Sequence, residues 1–251
     1  DEKILTSRPI LESFIKNPVL IDMLNCPLMY YGNAREGDMD FYQFVIMFKS
    51  VFVEGFAKPL GGMHYILHLL EEKFKQLGGE LRMGAGVTSI NAESGTVESV
   101  TLENGEQLTT EAVISSMGYV ETLNHCLPAL KETEECVTGQ VSFMESLCVV
   151  DREPRELGYD KSIVFFSTQP RFDYKVPDEM INVTSGVLCC SNNFDYPEPM
   201  KEGLIRLTNL ANFAQWDTLV RKDYIAAKKH WRDRALESVF TFFPDFRDNV
   251  V

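Results

Sequence analysis

The hydrophobic residues of two segments repeat with the spacing of an α-helix. In the first, the pattern begins after Gly61-Gly62 and ends at Gly78-Gly79. Its apolar stripe consists of Met63, Ile66, Leu67, Leu70, Phe74 and Leu77. The second segment, residues 39–56, is apolar on almost every side and carries Phe41, Phe44, Phe48, Phe52 and Phe56. A helix of that kind is either buried in a core or lines an apolar cavity, and both interpretations stay open.

Alternation of apolar and polar residues predicts two groups of β-strands. The first group is a β-meander, because Ser94-Gly95 and Asn104-Gly105 are typical hairpin turns. Its strands are residues 80–92, 95–105 and 106–118. The second group is separated by long polar loops, which favours an antiparallel or mixed sheet. Its strands are residues 140–151, 162–168, 181–191 and 203–213.

A long helix is predicted after the second group of strands. It would start at the N-cap residue Asp217 and run to Phe243, where Pro244 ends it. These elements together predict an α+β fold. We expect a mixed, largely antiparallel sheet with helices, and beside it the β-meander with its own helix.

Gly84-Ala85-Gly86 is half of a Gly-x-Gly-x-x-Gly dinucleotide-binding turn. Such a turn ends a strand and opens a helix, so that free backbone N–H groups face a pyrophosphate. Here Ser89 stands at the third glycine position, and the residues after Gly86 alternate as in a strand. The sequence therefore argues against a phosphate-binding turn at this place.

Charge and side-chain spacing argue against two other functions. The formal net charge of −13, without a run of lysine or arginine, would repel a phosphate backbone, so we expect no nucleic-acid partner. His64 and His68 have the i, i+4 spacing of a zinc motif, but no glutamate follows the first histidine. We therefore predict no metal site.

The cysteines and the apolar runs bear on the compartment. The six cysteines show no Cys-x-x-Cys spacing, and we interpret them as reduced thiols of an intracellular protein. Neither a signal peptide nor an apolar run long enough to span a membrane is evident. These features predict a cytoplasmic protein. Because the chain begins at Asp1, we also expect it to be a fragment of a longer protein.

An ordered set of motifs resembles one family of flavoproteins. The set consists of Pro59-Leu60-Gly61-Gly62, the amphipathic helix, Gly78-Gly79-Glu80-Leu81, Val87-Thr88-Ser89-Ile90 and the meander. It is similar to the middle of FAD-dependent oxidoreductases of the phytoene desaturase, carotenoid isomerase and retinol saturase family, which is akin to amine oxidases. Residues 30–38 and 214–246 resemble segments of the same family in the same order.

The resemblance implies a split domain arrangement. Residues 1–58 would be the first part of a substrate domain, 59–118 the central segment of an FAD-binding domain, and 119–251 the second part of the substrate domain. The family's N-terminal Gly-x-Gly-x-x-Gly segment and its C-terminal flavin segment have no counterpart in this sequence. We therefore expect FAD in the full-length protein, and we expect this fragment to be inactive and to bind FAD weakly or not at all.

The resemblance also implies roles for single residues. The backbone of Val87 would lie against the adenine end of FAD, and Gly86 would allow close approach. Gly61 and Gly62 would bring a helix N-terminus near the flavin and the substrate. For the glycines, a structural role in a bulge or a flexible loop is the alternative. The candidate lining of a substrate cavity consists of Phe44, Phe48, Phe52 and Tyr119.

The function that the resemblance implies is an FAD-dependent oxidoreductase of the desaturase, saturase or isomerase type. Its substrate would be a long apolar isoprenoid or carotenoid-like molecule, which is compatible with peripheral contact with a membrane. The sequence identifies no catalytic residue. Two alternatives stay open. One is an amine-oxidase-like enzyme whose aromatic cage includes Tyr30, Tyr31 or Tyr119, and the other is a non-enzymatic module that binds a lipid or a partner.

Overall fold

A computed structural model describes residues 5–33, 35–128, 141–196 and 198–251 of the chain. The chain divides into two units, one made of Asp1–Leu60 with Gln140–Val251 and the other of Gly61–Gly139. Each unit combines helices with a four-stranded sheet. The fold class is therefore α+β, as the sequence predicts.

Three helices open the larger unit: α1 (Ser7–Phe14), α2 (Pro18–Gly32) and α3 (Phe41–Phe48). The side chain of Asn17 caps α2 by accepting hydrogen bonds from the first turn, and Asp40 caps α3 in the same way. A π-helical turn, Lys49–Glu54, extends α3 until Gly55 ends it with a φ of 81°. The helix predicted from the apolar segment is thus present in two geometries.

The larger sheet consists of β5 (Val141–Val150), β6 (Ile163–Ser167), β7 (Ser185–Cys190) and β8 (Gly203–Asn212). Their order is β5-β8-β7-β6, and every pairing is antiparallel in the described strands. The sequence predicts a mixed sheet here. That detail needs correction, because the parallel pairing lies in the sheet of the smaller unit.

The helix predicted from Asp217 to Phe243 is two helices, α6 (Phe213–Asp217) and α7 (Arg221–Val239). Asp217 is therefore the last residue of α6, and the N-cap of α7 is Val220. The cause is tertiary. The indole Nε1 of Trp216 donates to the carbonyl of Met180 at 2.9 Å, and Asn212 caps the start of α6. These contacts hold the short helix apart from α7.

The two faces of the larger sheet pack differently. One face is covered by α7, whose Trp231, Ala235, Leu236 and Val239 are buried against the strands. On the opposite face, α2 and α3 cover the end near Val141 and Leu210, in a second cluster that contains buried Phe44. The candidate site lies on this opposite face, beside the part that α2 and α3 cover.

The smaller unit contains α4 (Gly62–Gln76), the meander β1 (Val87–Glu93), β2 (Thr96–Leu102) and β3 (Gln107–Thr109), then α5 (Tyr119–His125) and β4 (Cys126–Leu127). The sheet order is β3-β2-β1-β4, with β1 and β4 parallel. Both predicted hairpin turns are present, and Ser94, Gly95 and Gly105 adopt positive φ there.

The third strand of the meander is shorter than predicted. Residues 110–118 are irregular instead of extending the strand to Gly118. The last ladder bond runs from the N–H of Thr110 to the carbonyl of Glu98 at 3.0 Å. After it, the Thr110 hydroxyl donates to the carbonyl of Ala112 at 2.8 Å. Such a local bond offers the backbone an alternative to the ladder, so pairing stops.

The buried carboxylate of Asp22 connects α2 to two other segments of the larger unit. One of its oxygens accepts a hydrogen bond from Nη1 of Arg8 at 2.6 Å, and the other accepts from Nε of Arg171 at 2.6 Å and from the N–H of Phe172 at 3.3 Å. Burial alone would raise the pKa of Asp22, but the hydrogen bonds from Arg171 and Arg8 outweigh burial and lower the pKa. A carboxylate that is only 3% exposed depends on these partners.

Removing this carboxylate should destabilise the larger unit. We expect Asp22→Ala to lower the free energy of unfolding by about 3 kcal/mol near neutral pH, because it leaves Arg8 without its buried partner. The folded-state pKa of Asp22 is lowered, so its contribution is present above the unfolded-state pKa and is lost as the pH falls through the folded-state pKa. Denaturant unfolding of the wild type and of Asp22→Ala should therefore give free energies of unfolding whose difference becomes smaller as the pH is lowered into the acid range.

Asp245→Ala is the matched control, since Asp245 pairs with Arg247 at the surface. It should cost less than about 1 kcal/mol. An equal loss of stability in the two variants would contradict the role assigned to Asp22.

Candidate functional site

The face of the larger sheet that α7 leaves free carries a cavity of about 220 Å³, which we call the sheet-face cavity. Its lining residues are Tyr30, Tyr31, Phe143, Glu145, Val187, Cys189, Arg206 and Thr208. All of them belong to the larger unit. The cavity thus has a floor of strand residues and a wall from the end of α2.

Strand register determines which side chains form the floor. Glu145 lies opposite Thr208 on β8, and Thr208 lies opposite Val187 on β7. In the next row, Arg206 lies between Leu147 and Cys189. Successive side chains of a strand point to opposite faces, so the residues between these belong to the core beneath α7. The floor is therefore built from alternate residues of β5, β8 and β7.

Aromatic rings form the wall. The ring of Tyr30 lies 5.8 Å from that of Phe143 and 6.2 Å from that of Phe165 on β6. The ring of Tyr31 lies 5.9 Å from Phe165 and 5.2 Å from Phe56. These are distances of direct aromatic contact.

A second cavity of about 440 Å³ adjoins the first along β6, and we call it the adjoining groove. Phe56 and Phe165 line it, together with Ile163 and Phe194. Both Phe56 and Phe165 contact Tyr31, which lines the sheet-face cavity. The two cavities therefore meet at an aromatic boundary, and the groove is also lined by the polar residues Lys161, Ser162, Asn193 and Asp195.

The hydroxyl of Tyr30 is buried without a hydrogen-bond partner in the described structure. The hydroxyl of Ser185, which accepts a hydrogen bond from Nδ2 of Asn182 at 3.2 Å, lies near the phenol and acts to lower its pKa, but burial has the larger effect. Burial raises the pKa of Tyr30, and burial also raises the pKa of Tyr31, where Cys189 adds to the effect and Arg206 opposes it. Both phenols are therefore neutral near pH 7.

The charged residues of the cavity form a loose pair. Nε of Arg206 lies 3.9 Å from Oε1 of Glu145, and the hydroxyl of Thr208 donates to the same carboxylate oxygen at 3.2 Å. Both charged side chains are about half exposed. A half-exposed charged pair contributes little to the stability of the fold. The two side chains are therefore available to contact a ligand in the cavity.

The predicted cavity residues Phe44, Phe48 and Phe52 form a continuous row of rings along α3 and its π-helical extension. Ring centroids are 5.7 Å apart for Phe44 and Phe48 and 5.0 Å apart for Phe48 and Phe52. Phe44 is buried in the second core cluster, Phe48 packs against that cluster, and Phe52 is 44% exposed. Tyr119 belongs to the other unit, where it begins α5 with its side chain exposed.

The residues predicted to contact FAD all lie in the smaller unit. Val87 begins β1 and is 36% exposed. The N–H groups at the start of α4 receive no side-chain cap, and a Cβ at Gly62 would meet no atom within 4 Å. At Gly61 a Cβ would meet the side chain of Tyr65, and at Gly86 it would meet that of Glu103. Close packing against Tyr65 thus favours glycine at position 61, whereas at position 86 the contact is with the movable end of the Glu103 side chain.

The segment around Gly84 and Gly86 requires one correction. The sequence suggests that both glycines belong to the strand, but the strand begins at Val87. Gly84 lies in a turn with a φ of 65°, a conformation that interrupts a strand and favours glycine. The argument against a phosphate-binding turn is confirmed, because a strand and not a helix follows Gly86.

The described residues also bear on metals, thiols and membranes. Among them no cluster of histidine, cysteine and acidic side chains could hold a metal ion. Five of the cysteines are free thiols, and burial raises the pKa of Cys190 to about 12. Cys136 lies outside the described residues. In the described part of the chain, no helix has the length and apolar character needed to cross a bilayer.

The chain shares sequence with flavin-dependent and carotenoid-related proteins. The family described as flavin containing amine oxidoreductase matches residues 9–122. A phytoene desaturase of Fusarium fujikuroi is 36% identical over 77 residues, which cover 30% of this chain and 14% of that protein. A 4,4'-diapolycopene oxygenase of Methylomonas sp is 26% identical over 165 residues, which cover 63% of this chain and 32% of that protein. Over these segments the chain is similar to amine-oxidase-like flavoproteins of the phytoene desaturase type.

The fold of the chain also has a solved counterpart. A crystal structure of an oxidoreductase from Methanosarcina mazei superposes with a TM-score of 0.65 at 15% identity, covering 98% of this chain and 54% of that one. This similarity concerns the fold alone. The chain spans well under two thirds of the length of each of these relatives.

The residues on the cavity floor were not predicted from the sequence. Glu145, Arg206 and Thr208 lie in strands that were predicted, but no site was assigned to them. A signal was present in the alternation, since Arg206 interrupts the mostly apolar segment GLIRLTNLANF at a position that faces away from the α7 side. For Tyr30 and Tyr31, the sequence suggests a role only in the aromatic cage of an amine-oxidase-like enzyme.

Removing the hydroxyl of Tyr30 should not destabilise the fold. Because the buried oxygen has no hydrogen-bond partner in the described structure, we expect Tyr30→Phe to unfold at the same or a higher denaturant concentration than the wild type. Tyr174→Phe is the matched control, since that hydroxyl donates to the carbonyl of Asn33 at 3.0 Å in the same aromatic cluster. It should lose about 1 kcal/mol. A larger loss for Tyr30→Phe than for Tyr174→Phe would show that the Tyr30 hydroxyl has a partner.

Proposed function

We propose that the protein carrying this chain is an FAD-dependent oxidoreductase that acts on a long apolar isoprenoid or carotenoid-like substrate. The observation that carries the proposal is the aromatic-walled cavity on the sheet face, continued by the adjoining groove. The names of the two curated relatives, a phytoene desaturase and a diapolycopene oxygenase, support the same class of substrate. The reaction would be of the desaturase, saturase or isomerase type.

The family description supports a flavin cofactor, and the resemblance implies that this flavin is FAD. The residues of the smaller unit fit contact with one edge of such a nucleotide. The partly exposed Val87 and the open position at Gly62, beside the uncapped start of α4, could lie against it. Gly61 and Gly86 would act indirectly, by keeping these backbone positions accessible. A bound flavin supplies the electron exchange that such chemistry requires.

The residues of the larger unit would bind the substrate and exclude water. Val187, Phe143 and the rings of Tyr30 and Tyr31 offer an apolar surface, and each methylene buried there would contribute about 0.8 kcal/mol. Neutral phenols keep this surface uncharged near pH 7. The chain's own contribution to the reaction would be the orientation of a ligand that has few polar groups.

The phenylalanine row would contribute through its exposed end. Phe44 and Phe48 are packed in the core, so Phe52 is the member most available to a ligand, and Phe56 already lines the adjoining groove. Tyr119 is exposed in the smaller unit, and it is proposed as a residue that contacts the substrate. Since such substrates hardly dissolve in water, the protein would collect them by peripheral contact with a membrane from a cytoplasmic location.

An amine substrate is the second candidate, and the adjacent Tyr30 and Tyr31 favour it because both line one cavity. The cavity carries Arg206 and Glu145 as a pair, so its charges do not select for an ammonium group, whereas the names of both curated relatives, a phytoene desaturase and a diapolycopene oxygenase, favour an isoprenoid. We therefore rank the isoprenoid substrate first.

A bulky side chain on the cavity floor should block the substrate. We expect Val187→Trp in the full-length protein to weaken binding of a carotenoid-like polyene by about tenfold or more, because the indole occupies the floor where Val187 now lines the cavity. The measurement is the polyene retained by the purified protein and its turnover, both followed by absorbance. Val220→Trp, at an exposed position before α7, is the control and should bind normally.

The same experiment separates the remaining alternatives. Unchanged polyene turnover in a folded Val187→Trp protein would contradict the assignment of this cavity. A flavin-free wild-type protein that binds the polyene without converting it would favour the lipid-binding module. Turnover of amines in place of polyenes would favour the amine-oxidase-like enzyme.

A further inference from the structure

Strand β6 forms one edge of the larger sheet. In the order β5-β8-β7-β6, its only neighbour among the described strands is β7. At one end of this pair the N–H of Cys190 donates to the carbonyl of Ser162 at 2.8 Å, and at the other end the N–H of Thr168 donates to the carbonyl of Thr184 at 2.7 Å. Bonded positions alternate along an antiparallel pair, so the even-numbered residues from 162 to 168 bond to β7. The odd-numbered residues of β6 therefore direct their backbone groups away from β7.

Three residues of β6 thus present their N–H and C=O groups at the edge: Ile163, Phe165 and Ser167. In the described part of the chain these backbone groups have no hydrogen-bond partner. The strand also lacks the features that usually keep an edge from pairing, because its sequence IVFFS contains no charged residue and no proline, and its register with β7 contains no bulge. This edge is therefore suited to the addition of another strand.

Apolar surface accompanies the edge on both faces of the sheet. A cavity of about 530 Å³ runs beside β6 and is lined on its other side by Val19, Met23 and Pro27 of α2. Met23 is 64% exposed, and Val19 is 44% exposed. On the α7 face, the ring of Phe242 lies 6.0 Å from that of Phe166 and is about half exposed. An added strand would therefore have apolar side chains above and below it.

From this arrangement we propose that the partner at this edge is a second copy of the same chain, whose β6 pairs antiparallel with the first about a two-fold axis at Phe165. Phe165 would exchange both backbone hydrogen bonds with Phe165 of the second copy, and Ile163 would pair in the same way with Ser167 of the second copy. All three outward-facing residues then have partners, as the self-complementary interface of a two-fold dimer requires. The inference is independent of the proposed function.

Charges at the two ends of β6 favour a second copy as the partner. Asp160 precedes the strand and Arg171 follows it, and both side chains are more than half exposed. Antiparallel pairing places the Asp160 end of each copy beside the Arg171 end of the other. These two attractions oppose the general repulsion between chains that each carry a net charge of −13.

The symmetry also covers the exposed side chains of α2. A two-fold axis perpendicular to the sheet keeps both α2 helices on one face of the joined sheet, so Val19 and Met23 of each copy would face the other copy. This apolar burial is needed, because two five-residue strands alone bury far less than the roughly 800 Å² per partner of a stable interface. Since Ile163 and Phe165 line the adjoining groove, the second copy would also lie beside that groove.

Sedimentation equilibrium of the full-length protein tests the association. We expect the wild type to be a dimer. Met23→Glu should weaken the dimer by about tenfold or more, because it places a charge in apolar surface that the second copy covers. Ile46→Glu is the matched control, since Ile46 is 65% exposed on α3, which covers the sheet near Val141 and Leu210. It should leave the dissociation constant unchanged, and circular dichroism would verify that both variants are folded.

Disulfide cross-linking of the full-length protein tests the register. The double variant Ile163→Cys with Ser167→Cys should form a covalent dimer on oxidation, because the two positions face each other across the axis at a Cα separation of about 5.5 Å, which a disulfide accepts. Within one strand these positions are about 13 Å apart, so no bond forms inside a chain. For the same reason, Ile163→Cys alone and Ser167→Cys alone should cross-link no more than the wild type.

A change of charge separates the specific contact from general repulsion. Asp160→Lys should weaken the dimer by about threefold, because it removes the attraction to Arg171 of the second copy. Asp223→Lys changes the net charge equally, but it lies at the start of α7, next to the residues that line a cavity beside β5. The control should strengthen the dimer slightly, since it only reduces the general repulsion.

The outcomes decide between this dimer and other occupants of the edge. A full-length protein that stays monomeric at its highest soluble concentration overturns the proposal, as it would if another segment or another protein covers β6. A dimer that Met23→Glu and Ile46→Glu weaken equally, or that the double cysteine variant fails to cross-link, also overturns it, because its interface then lies elsewhere. Weakening by Met23→Glu and Asp160→Lys alone, together with the expected cross-link, supports it.

Discussion

The antiparallel pairing of β5 with β8 is the constraint on which the candidate site depends. It runs without interruption from Val141 opposite Asn212 to Val150 opposite Gly203. Because side chains alternate between faces, this register assigns one set of residues to the core beneath α7 and the other to the cavity floor. A slip by one residue would exchange the two sets, exposing Leu207 and burying Arg206. Burial of the apolar residues beneath α7 therefore disfavours a shift of register, and the register determines which side chains form the cavity floor.

Local patterns in the sequence predict the elements that local interactions form. Asn104-Gly105 predicts its hairpin because glycine readily adopts the positive φ that the turn requires. The apolar stripe from Met63 to Leu77 predicts α4, and the alternation of β5 and β8 predicts both strands. Within its unit the apolar stripe of α4 is exposed. The periodicity of the sequence therefore predicts the helix correctly, but it does not predict which surface the stripe packs against.

Elements decided by distant contacts could not be predicted in the same way. The break between α6 and α7 depends on the bond from Trp216 to Met180, which no helical pattern reveals. The sheet-face cavity combines Tyr30 and Tyr31 at the end of α2 with Glu145 and Arg206 on β5 and β8, which are remote in the chain. Only the register between strands and the docking of α2 bring them together. The family resemblance implies a substrate class and offers Tyr30 and Tyr31 for an amine-binding cage, whereas it gives no indication of Glu145 or Arg206.

The π-helical turn Lys49–Glu54 determines the direction in which the aromatic side chains after it point. Its hydrogen bonds enclose one more residue per turn than those of an α-helix, so residues after it are rotated relative to the row that contains Phe44 and Phe48. That rotation accompanies the passage from buried Phe44 to Phe52 and then to Phe56, which contacts Tyr31. Deleting one residue within the turn would favour regular α-helix and turn the following side chains by about 100°. Homologous chains that differ by a single-residue deletion here would therefore present a different aromatic side chain to the groove.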